Sequence, residues 1–368
     1  MTAALNDRLA RARSATAEAG LDGLLITPGA GLRYLIGYQA MPLERLTCLV
    51  IPAKGDATLV VPRLEQPAAQ ASPAGSLDLD IRAWDETDDP IALAAGLLPG
   101  AKQVGLDNEM WAEKVLRFRA AMPDAQQQTA GEVLSELRIV KSADEIEALR
   151  EAGAAIDRVH ARMGEWLRPG RTEADVARDI AAAILAEGHA HVDFTIVASG
   201  PNSASPHHES GARRIEAGDA VVVDIGGTTA AGYCSDSTRT YAVGHVPAGF
   251  GEAYEALLRA QDAAVRQVRP GVSAESIDAA AREVLVEAGL GEYFIHRTGH
   301  GIGVEAHEEP YIVAGNTRPI EPGMAFSVEP GFYLPGRYGA RIEDIVVATD
   351  GGVERLNLRP RDLVVLDA

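Results

Sequence analysis

The sequence predicts an α/β N-terminal domain over residues 1–132, followed by an α+β C-terminal domain over residues 133–368 with an internal pseudo-twofold duplication. Three observations predict it. The first third alternates helix-like with strand-like segments, the remainder repeats one turn-and-helix unit, and all nine histidines lie at or beyond His160. A chain of 368 residues also exceeds what one compact core ordinarily holds.

Taken in order, residues 4–19 are alanine-rich with helical spacing, and Leu21–Thr27, Leu46–Ile51 and Ala57–Val61 read as short apolar strands. Residues 109–122 show a second amphipathic pattern, and the polar stretch Asp124–Thr129 reads as the linker between domains. The segment LRIVKSADEIEALREAGAAIDRVHARM (137–163) then reads as one long helical stretch. Beyond it, RPGRTEADVARDIAAAILAEG (168–188) and RPGVSAESIDAAAREVLVEAG (269–289) share a Pro-Gly turn, a Thr or Ser cap and a helix of similar length, offset by 101 residues. Each copy follows a helical segment, 144–167 and 251–267, and precedes strand-rich sequence. The C-terminal domain therefore reads as two related halves facing each other.

Composition narrows the function. The formal charge of −19 repels phosphate backbones and anionic lipid, and no basic block offsets it, so neither nucleic acid nor membrane is an expected partner. The first twenty residues hold no continuous apolar h-region and no apolar run reaches bilayer-spanning length, which makes the cytoplasm the expected location. Cys48 and Cys234 are too sparse for a disulfide framework or a thiolate zinc site. Any metal must use oxygen and nitrogen ligands.

The chemistry concentrates in four C-terminal segments. Val221-Val222-Val223 is a buried-strand pattern ending in Asp224; Gly226, Gly227 and Gly232 allow a turn, and Cys234–Val243 runs back carrying Asp236. An acidic group ending so apolar a run costs several kcal/mol unless something neutralises it. Alone, Asp224 reads as a turn or capping aspartate, but a second hairpin of the same kind follows. Residues 324–329 form a strand ending in Glu329-Pro330-Gly331, and after the turn at Gly336–Gly339 the strand Ala340–Val347 places Arg341, Glu343 and Ile345 on one face. Four converging carboxylates repel one another strongly, and divalent cations resolve the conflict. His300, between Gly299 and Gly301 and flanked by His296 and His307, is the best imidazole candidate. An oxygen-rich site with one imidazole suits manganese, cobalt, zinc or iron, and bridging carboxylates allow two ions roughly 3.5–4 Å apart.

In these residues the chain resembles the pita-bread metallopeptidases, the superfamily of methionine aminopeptidase, aminopeptidase P and prolidase. That family's ligand series Asp, Asp, His, Glu, Glu falls on Asp224, Asp236, His300, Glu329 and Glu343, inside SDSTRT, TGHGIG, VEPG and RIED. An N-terminal α/β domain with LRYLIGY (32–38) is similar to the creatinase, prolidase and aminopeptidase P branch. The resemblance implies two divalent ions per chain, manganese first, and metal-assisted hydrolysis of the bond between an N-terminal residue and proline, with Glu329 handling the proton. It implies that His207, His296 and His307 surround the substrate, His307 stabilising the tetrahedral intermediate and Arg341 buttressing Glu343. His207 and His208 are adjacent, and the Pro-His context favours His207. It further implies a homodimer in which the polar loop Gln39–Arg45 reaches over a partner's active site. Two departures stand out. The interval from Asp224 to Asp236 is one residue longer than the family form, which points to an insertion in the hairpin turn. Tyr311 stands where dipeptide-specific members often carry an arginine for the substrate carboxylate, leaving that role to Arg318 or another residue.

Two rival readings remain at the level of sequence. VVVDIGGT (221–228) looks like the first phosphate-binding turn of actin-like sugar kinases, but the later phosphate and adenosine motifs are missing. A metal-free amidinohydrolase such as creatinase shares the fold, and such members usually lose the metal ligands that this chain keeps.

Overall fold

A computed structural model describes residues 2–367 and divides the chain into two compact units, Met1–Arg138 and Ile139–Ala368. In the first unit α1 (Thr2–Glu18), β1 (Gly23–Ile26), α2 (Ala30–Ile36), β2 (Cys48–Pro52), β3 (Thr58–Pro62), α3 (Gln66–Ala71), β4 (Asp80–Trp84), α4 (Pro90–Ala95), β5 (Gln103–Leu106), α5 (Ala112–Ala121), β6 (Gln126–Thr129) and α6 (Gly131–Arg138) follow in order. The six strands form one mixed sheet, β4-β3-β2-β1-β5-β6. Its inner strands read as continuous apolar runs because both faces are covered: Leu25, Val50, Val60 and Val104 pack with Trp84, Ile91 and Phe118 in one cluster. The polar stretch 124–129, expected as a linker, contains strand β6 instead. Gln126–Thr129 pairs in parallel with Gln103–Leu106 at the sheet edge, where backbone hydrogen bonds suffice and polar side chains stay outside. Residue 132, the expected boundary, lies in the first turn of α6.

The second unit comprises α7 (Ala143–His160), α8 (Met163–Trp166), α9 (Glu173–Ala186), β7 (His189–Ser199), β8 (Ala220–Thr229), β9 (Cys234–Val243), α10 (Phe250–Gln267), α11 (Ala274–Glu287), β10 (Gly299–Gly301), β11 (Glu308–Ile312), β12 (Ala325–Val328), β13 (Gly331–Leu334), β14 (Tyr338–Arg341), β15 (Asp344–Thr349), β16 (Gly352–Arg355) and β17 (Val364–Leu366). The long helical stretch expected over 137–163 is broken at Ile139–Ser142, where Lys141 N bonds to Gly323 O and Val140 bridges to Met324. Ser142 then starts α7 with a reciprocal cap: its hydroxyl accepts from Glu145 N, and Glu145 accepts from Ser142 N.

The repeated sequence folds into repeated hydrogen bonds. Gly170 N donates to Ile215 O, and Gly271 N to Ile320 O, both at 2.8 Å; Glu173 N donates to Arg213 O, and Ala274 N to Arg318 O, both at 3.0 Å. Isolated bridges Thr172↔Arg214 and Ser273↔Pro319 fall at corresponding places. Each half carries its own core. Ile156, Val176, Ile180, Val197, Val221 and Val223 cluster in the first, and Leu257, Ile277, Phe326, Val328, Phe332 and Val346 in the second. The first half presents the sheet β17-β9-β8-β7 and the second β11-β10-β12-β15-β16. Among the described residues no helix is long and apolar enough to cross a membrane.

The second hairpin departs from expectation. Ala340–Val347 is not one strand: β12 pairs with β15 (Val328↔Asp344) and β13 with β14 (Gly331↔Arg341), leaving Glu329-Pro330 opposite Ile342-Glu343 as a gap in the ladder. Pro330 has no N–H to give, so the ladder cannot pass through it. One long bond still crosses the gap, Ile342 N to Pro330 O (3.4 Å), while Glu329 N turns to Thr298 O just before β10 (2.8 Å) and Glu343 N to Thr238 O of β9 (3.1 Å).

Candidate metal centre and substrate cavity

That gap and the β8–β9 hairpin bring the expected acidic groups to one cavity. In β8 and β9 the register sets Asp224 opposite Thr238 and Gly226 opposite Asp236. Glu329 and Glu343 enter from the gap. His300 sits at the middle of β10, whose backbone runs so close to its neighbours that a Cβ at Gly299 would lie 1.9 Å from Ser327 O and one at Gly301 2.1 Å from Glu309 O. The glycines around His300 are therefore a packing requirement. Ligand atoms of Asp224, Asp236 and Glu343 lie within 4.8 Å of one another, as do those of His300, Glu329 and Glu343, and those of Asp236, His300 and His307.

The donor atoms fit a cationic centre. His300 Nδ1 lies 3.1 Å from Gly301 O, which makes it the protonated nitrogen and leaves the Nε2 lone pair aimed at Glu329 Oε1 (3.2 Å) and Asp236 Oδ2 (3.7 Å). That nitrogen facing two carboxylates requires a positive charge between them, which either a proton on Nε2 or a metal ion supplies. Asp224 accepts from Arg341 Nη2 through Oδ2 (2.5 Å), while its Oδ1 is buried with no hydrogen-bond partner among the described residues. A buried carboxylate oxygen left so is costly. Burial and the surrounding carboxylates push Asp236 and Glu343 well above the usual carboxylate range. Burial also raises Glu329, but a proton on His300 Nε2, at the place a metal ion would take, donates to it, and that hydrogen bond and charge, with His296 and Arg341, hold Glu329 down at about 2. Oxygen ligands with one imidazole match a divalent first-row metal.

The cavity has a volume of about 700 Å³ and is lined by Asp224, Asp236, His300, Glu329, Glu343, Arg341 and the three expected substrate histidines His207, His296 and His307. His208 points elsewhere: its Nε2 lies 2.8 Å from the buried carboxylate of Glu173, which also accepts from Ser199 and Asn202 and so fastens the 199–208 segment that carries His207. The His307 ring centroid lies 4.0 Å from that of His300 with the planes tilted by 58°, and burial followed by the charge of a protonated His300 pushes its pKa down to about 4. His296 Nδ1 lies 2.7 Å from Arg297 O and its Nε2 2.9 Å from Tyr333 OH. Arg341 does not touch the Glu343 carboxylate. It bonds Tyr333 OH (2.8 Å) and Thr238 Oγ1 (3.1 Å), and Thr238 in turn donates to Glu343 Oε2 (2.7 Å). The buttress runs through a threonine.

Sequence reasoning missed Tyr333 and Thr238, ordinary strand residues in VEPGFY and SDSTRT whose roles appear only when the strands meet. It also left the apolar part of the cavity unnamed: Phe194 and Ile196 of β7 and the exposed Ile295 supply it. Tyr311 lies under the guanidinium of Arg297 at 4.3 Å, and Arg297, rather than Arg318, lines the cavity.

Comparison with known proteins agrees with this geometry. Residues 147–350 match the model of metallopeptidase family M24, and residues 8–140 that of the creatinase/prolidase N-terminal domain. A probable dipeptidase, PepE, of Mycobacterium tuberculosis (strain ATCC 25618 / H37Rv) is 56% identical over 360 residues, spanning 98% of this chain and 96% of the relative. The Xaa-Pro dipeptidase of Lactobacillus delbrueckii subsp. lactis is 35% identical across 95% of this chain and 96% of its own length. The crystal structure of dipeptidase PepE from Mycobacterium ulcerans superposes with a TM-score of 0.95 at 55% identity, covering 100% of this chain and 99% of that one.

Proposed function

The chain belongs to metallopeptidase family M24 and carries a creatinase/prolidase N-terminal domain, and from that premise we propose that it is an Xaa-Pro dipeptidase working with two divalent metal ions. One observation carries the reading: His300 Nε2 and the carboxylates of Asp224, Asp236, Glu329 and Glu343 converge on one cavity as a buried cluster whose repulsion divalent cations would relieve. These five residues are the proposed ligands. Manganese is the first candidate, with cobalt, zinc or iron as alternatives, and the relatives' names supply the peptide chemistry. Bound there, the two ions would polarise the scissile carbonyl and make a water molecule acidic enough to be a nucleophile near neutral pH.

The chain's own groups do the rest. Glu329 is a carboxylate, held by His300 and by Ser327 Oγ (3.0 Å), and accepts the proton released from the attacking water before passing it to the proline nitrogen that leaves. His307 is neutral and offers an N–H to the oxygen that gains negative charge. Tyr333 receives a hydrogen bond from Arg341 and donates to His296 Nε2, so His296 presents its ring edge in one tautomer. The X-Pro bond is a tertiary amide without an N–H, and Phe194, Ile196 and Ile295 offer its ring an apolar wall. Arg297 brings the positive charge that a dipeptide's free carboxylate needs, with His207 at the rim. A homodimer in the cytoplasm completes the proposal, with the Gln39–Arg45 loop, anchored by Lys114 Nζ to Leu43 O, as the partner-facing element.

The test is hydrolysis by metal-stripped protein of an Xaa-Pro dipeptide and an Xaa-Pro-Xaa tripeptide, with and without manganese, cobalt or zinc. Metal-dependent cleavage that favours the dipeptide supports the proposal. Faster cleavage of the tripeptide reassigns the enzyme as an aminopeptidase, and no cleavage of either with metal bound overturns the Xaa-Pro reading.

A further inference from the structure

The gap takes Glu343 out of the β12–β15 ladder, which resumes at Asp344; its N–H turns to Thr238 O instead, and Arg239 holds the Glu343–Asp344 peptide on its carbonyl side. Its side chain is buried, lies three residues after Asp236 on β9, and does not line the cavity. A guanidinium has five N–H donors, and every one is used. Nη1 donates to Glu343 O (2.6 Å) and Thr238 O (2.9 Å), Nη2 to Asp344 Oδ1 (2.7 Å) and Arg359 O (2.7 Å), and Nε to Pro360 O (3.1 Å). Asp344 is saturated from the other side, its Oδ2 accepting from Gln261 Nε2 (3.1 Å) and Arg355 Nη1 (2.5 Å).

We propose that Arg239 is a positioning residue for the metal centre: it clamps the Glu343–Asp344 peptide of one half to the Asp236 strand of the other and so sets the separation of these two carboxylates. Burying an ion pair gains little stability over an apolar pair of the same size, so a clamp with every donor matched is better understood through what it fixes. Thr238 lies at the junction. Its carbonyl accepts from both Glu343 N and Arg239 Nη1, and its hydroxyl donates to the Glu343 carboxylate, so the backbone and side chain of Glu343 move together with β9. Lysine at position 239 keeps the charge but cannot span these acceptors, because its three donors leave one nitrogen.

The inference rests on the reading of Glu343 as a metal ligand, and the experiment separates the two. Metal-free full-length protein is titrated with manganese while free Mn²⁺ is followed by electron paramagnetic resonance, for the wild type, Glu343→Gln, Arg239→Lys and Arg355→Gln, with circular dichroism recording the fold. The wild type should bind two ions and Glu343→Gln fewer. Folded Arg239→Lys should bind at least one ion about 10–100-fold more weakly, with kcat lowered and the peptide KM unchanged at saturating manganese. If Arg239→Lys does not fold, Arg355→Gln decides: its side chain is 24% exposed, it removes a donor from Asp344 Oδ2 along with contacts to Gln261 and Asp262 outside the cavity, and it should weaken manganese binding severalfold. A lowered melting temperature with an unmoved manganese isotherm in the folded variant would make Arg239 merely structural and overturn the proposal. Absence of manganese binding by the wild type would overturn the metal-centre reading itself.

Discussion

His300 and His307 are neighbours with tilted rings, yet the proposal gives them different work, and the difference lies in where their nitrogens point. His300 gives its Nδ1–H to Gly301 O and turns Nε2 to the carboxylate cluster, whereas His307 has no such backbone tether among the described residues and stays neutral at the edge of the cavity. His307→Ala should therefore lower kcat about 100–1000-fold, the usual loss for one oxyanion donor, with KM changed far less; steady-state kinetics on an Xaa-Pro dipeptide checks this. A raised KM with an unchanged kcat would place His307 in ground-state binding instead. At this scale the sequence was informative wherever chemistry left a residue no alternative. An aspartate ending Val221-Val222-Val223 and a histidine between two obligatory glycines are hard to explain without a site. Thr238, Arg239 and Tyr333 were silent, because a threonine, an arginine or a tyrosine in a strand is ordinary until its neighbours from distant strands are known. The choice between His207 and His208 likewise depends on Glu173, more than thirty residues away in the chain.

Among the elements, the fastening of α7 to β9 carries a pH dependence that belongs to the fold alone. His160, the last residue of α7, is buried, with Nδ1 3.0 Å from Tyr241 OH and Nε2 3.1 Å from Ser237 O. Burial, then the charge of Arg239, pushes its pKa from 6.5 down to about 3. Between those values the unfolded chain holds a proton on this residue that the folded one does not. Its contribution to stability is thus full above about pH 6.5 and is lost as pH falls, by up to about 1.4 kcal/mol per pH unit. Urea denaturation of the wild type and His160→Gln at pH 7 and pH 5 should show a shallower loss in the variant, and parallel losses would exclude His160 as the source. The strands around it were legible from apolar runs bounded by glycine and proline. Strand β6 was not, since an edge strand can be held by its backbone while Gln126–Thr129 look like a linker. The break at Ile342–Glu343 was hidden too, because alternation across Ala340–Val347 is preserved while the proline that interrupts it lies on the opposite strand.

At the scale of the molecule, the duplication was readable because the RPG turns and caps recur, and the matching hydrogen bonds at Gly170 and Gly271 give the repeat its physical content. Each half contributes carboxylates that repel, and the cavity between their strands is where the proposal puts the metal ions that would relieve that repulsion. Divalent cations should therefore stabilise the whole second unit as well as activate it. The central claim is that two divalent ions lie among Asp224, Asp236, His300, Glu329 and Glu343, and the most direct measurement is anomalous diffraction at the manganese edge from crystals grown with Mn²⁺. The account predicts two anomalous peaks inside the cavity, each within ligand distance of these residues and both lost in an Asp236→Ala, Glu343→Ala double variant. Peaks confined to the acidic surface, with the cavity empty at saturating manganese, would contradict it.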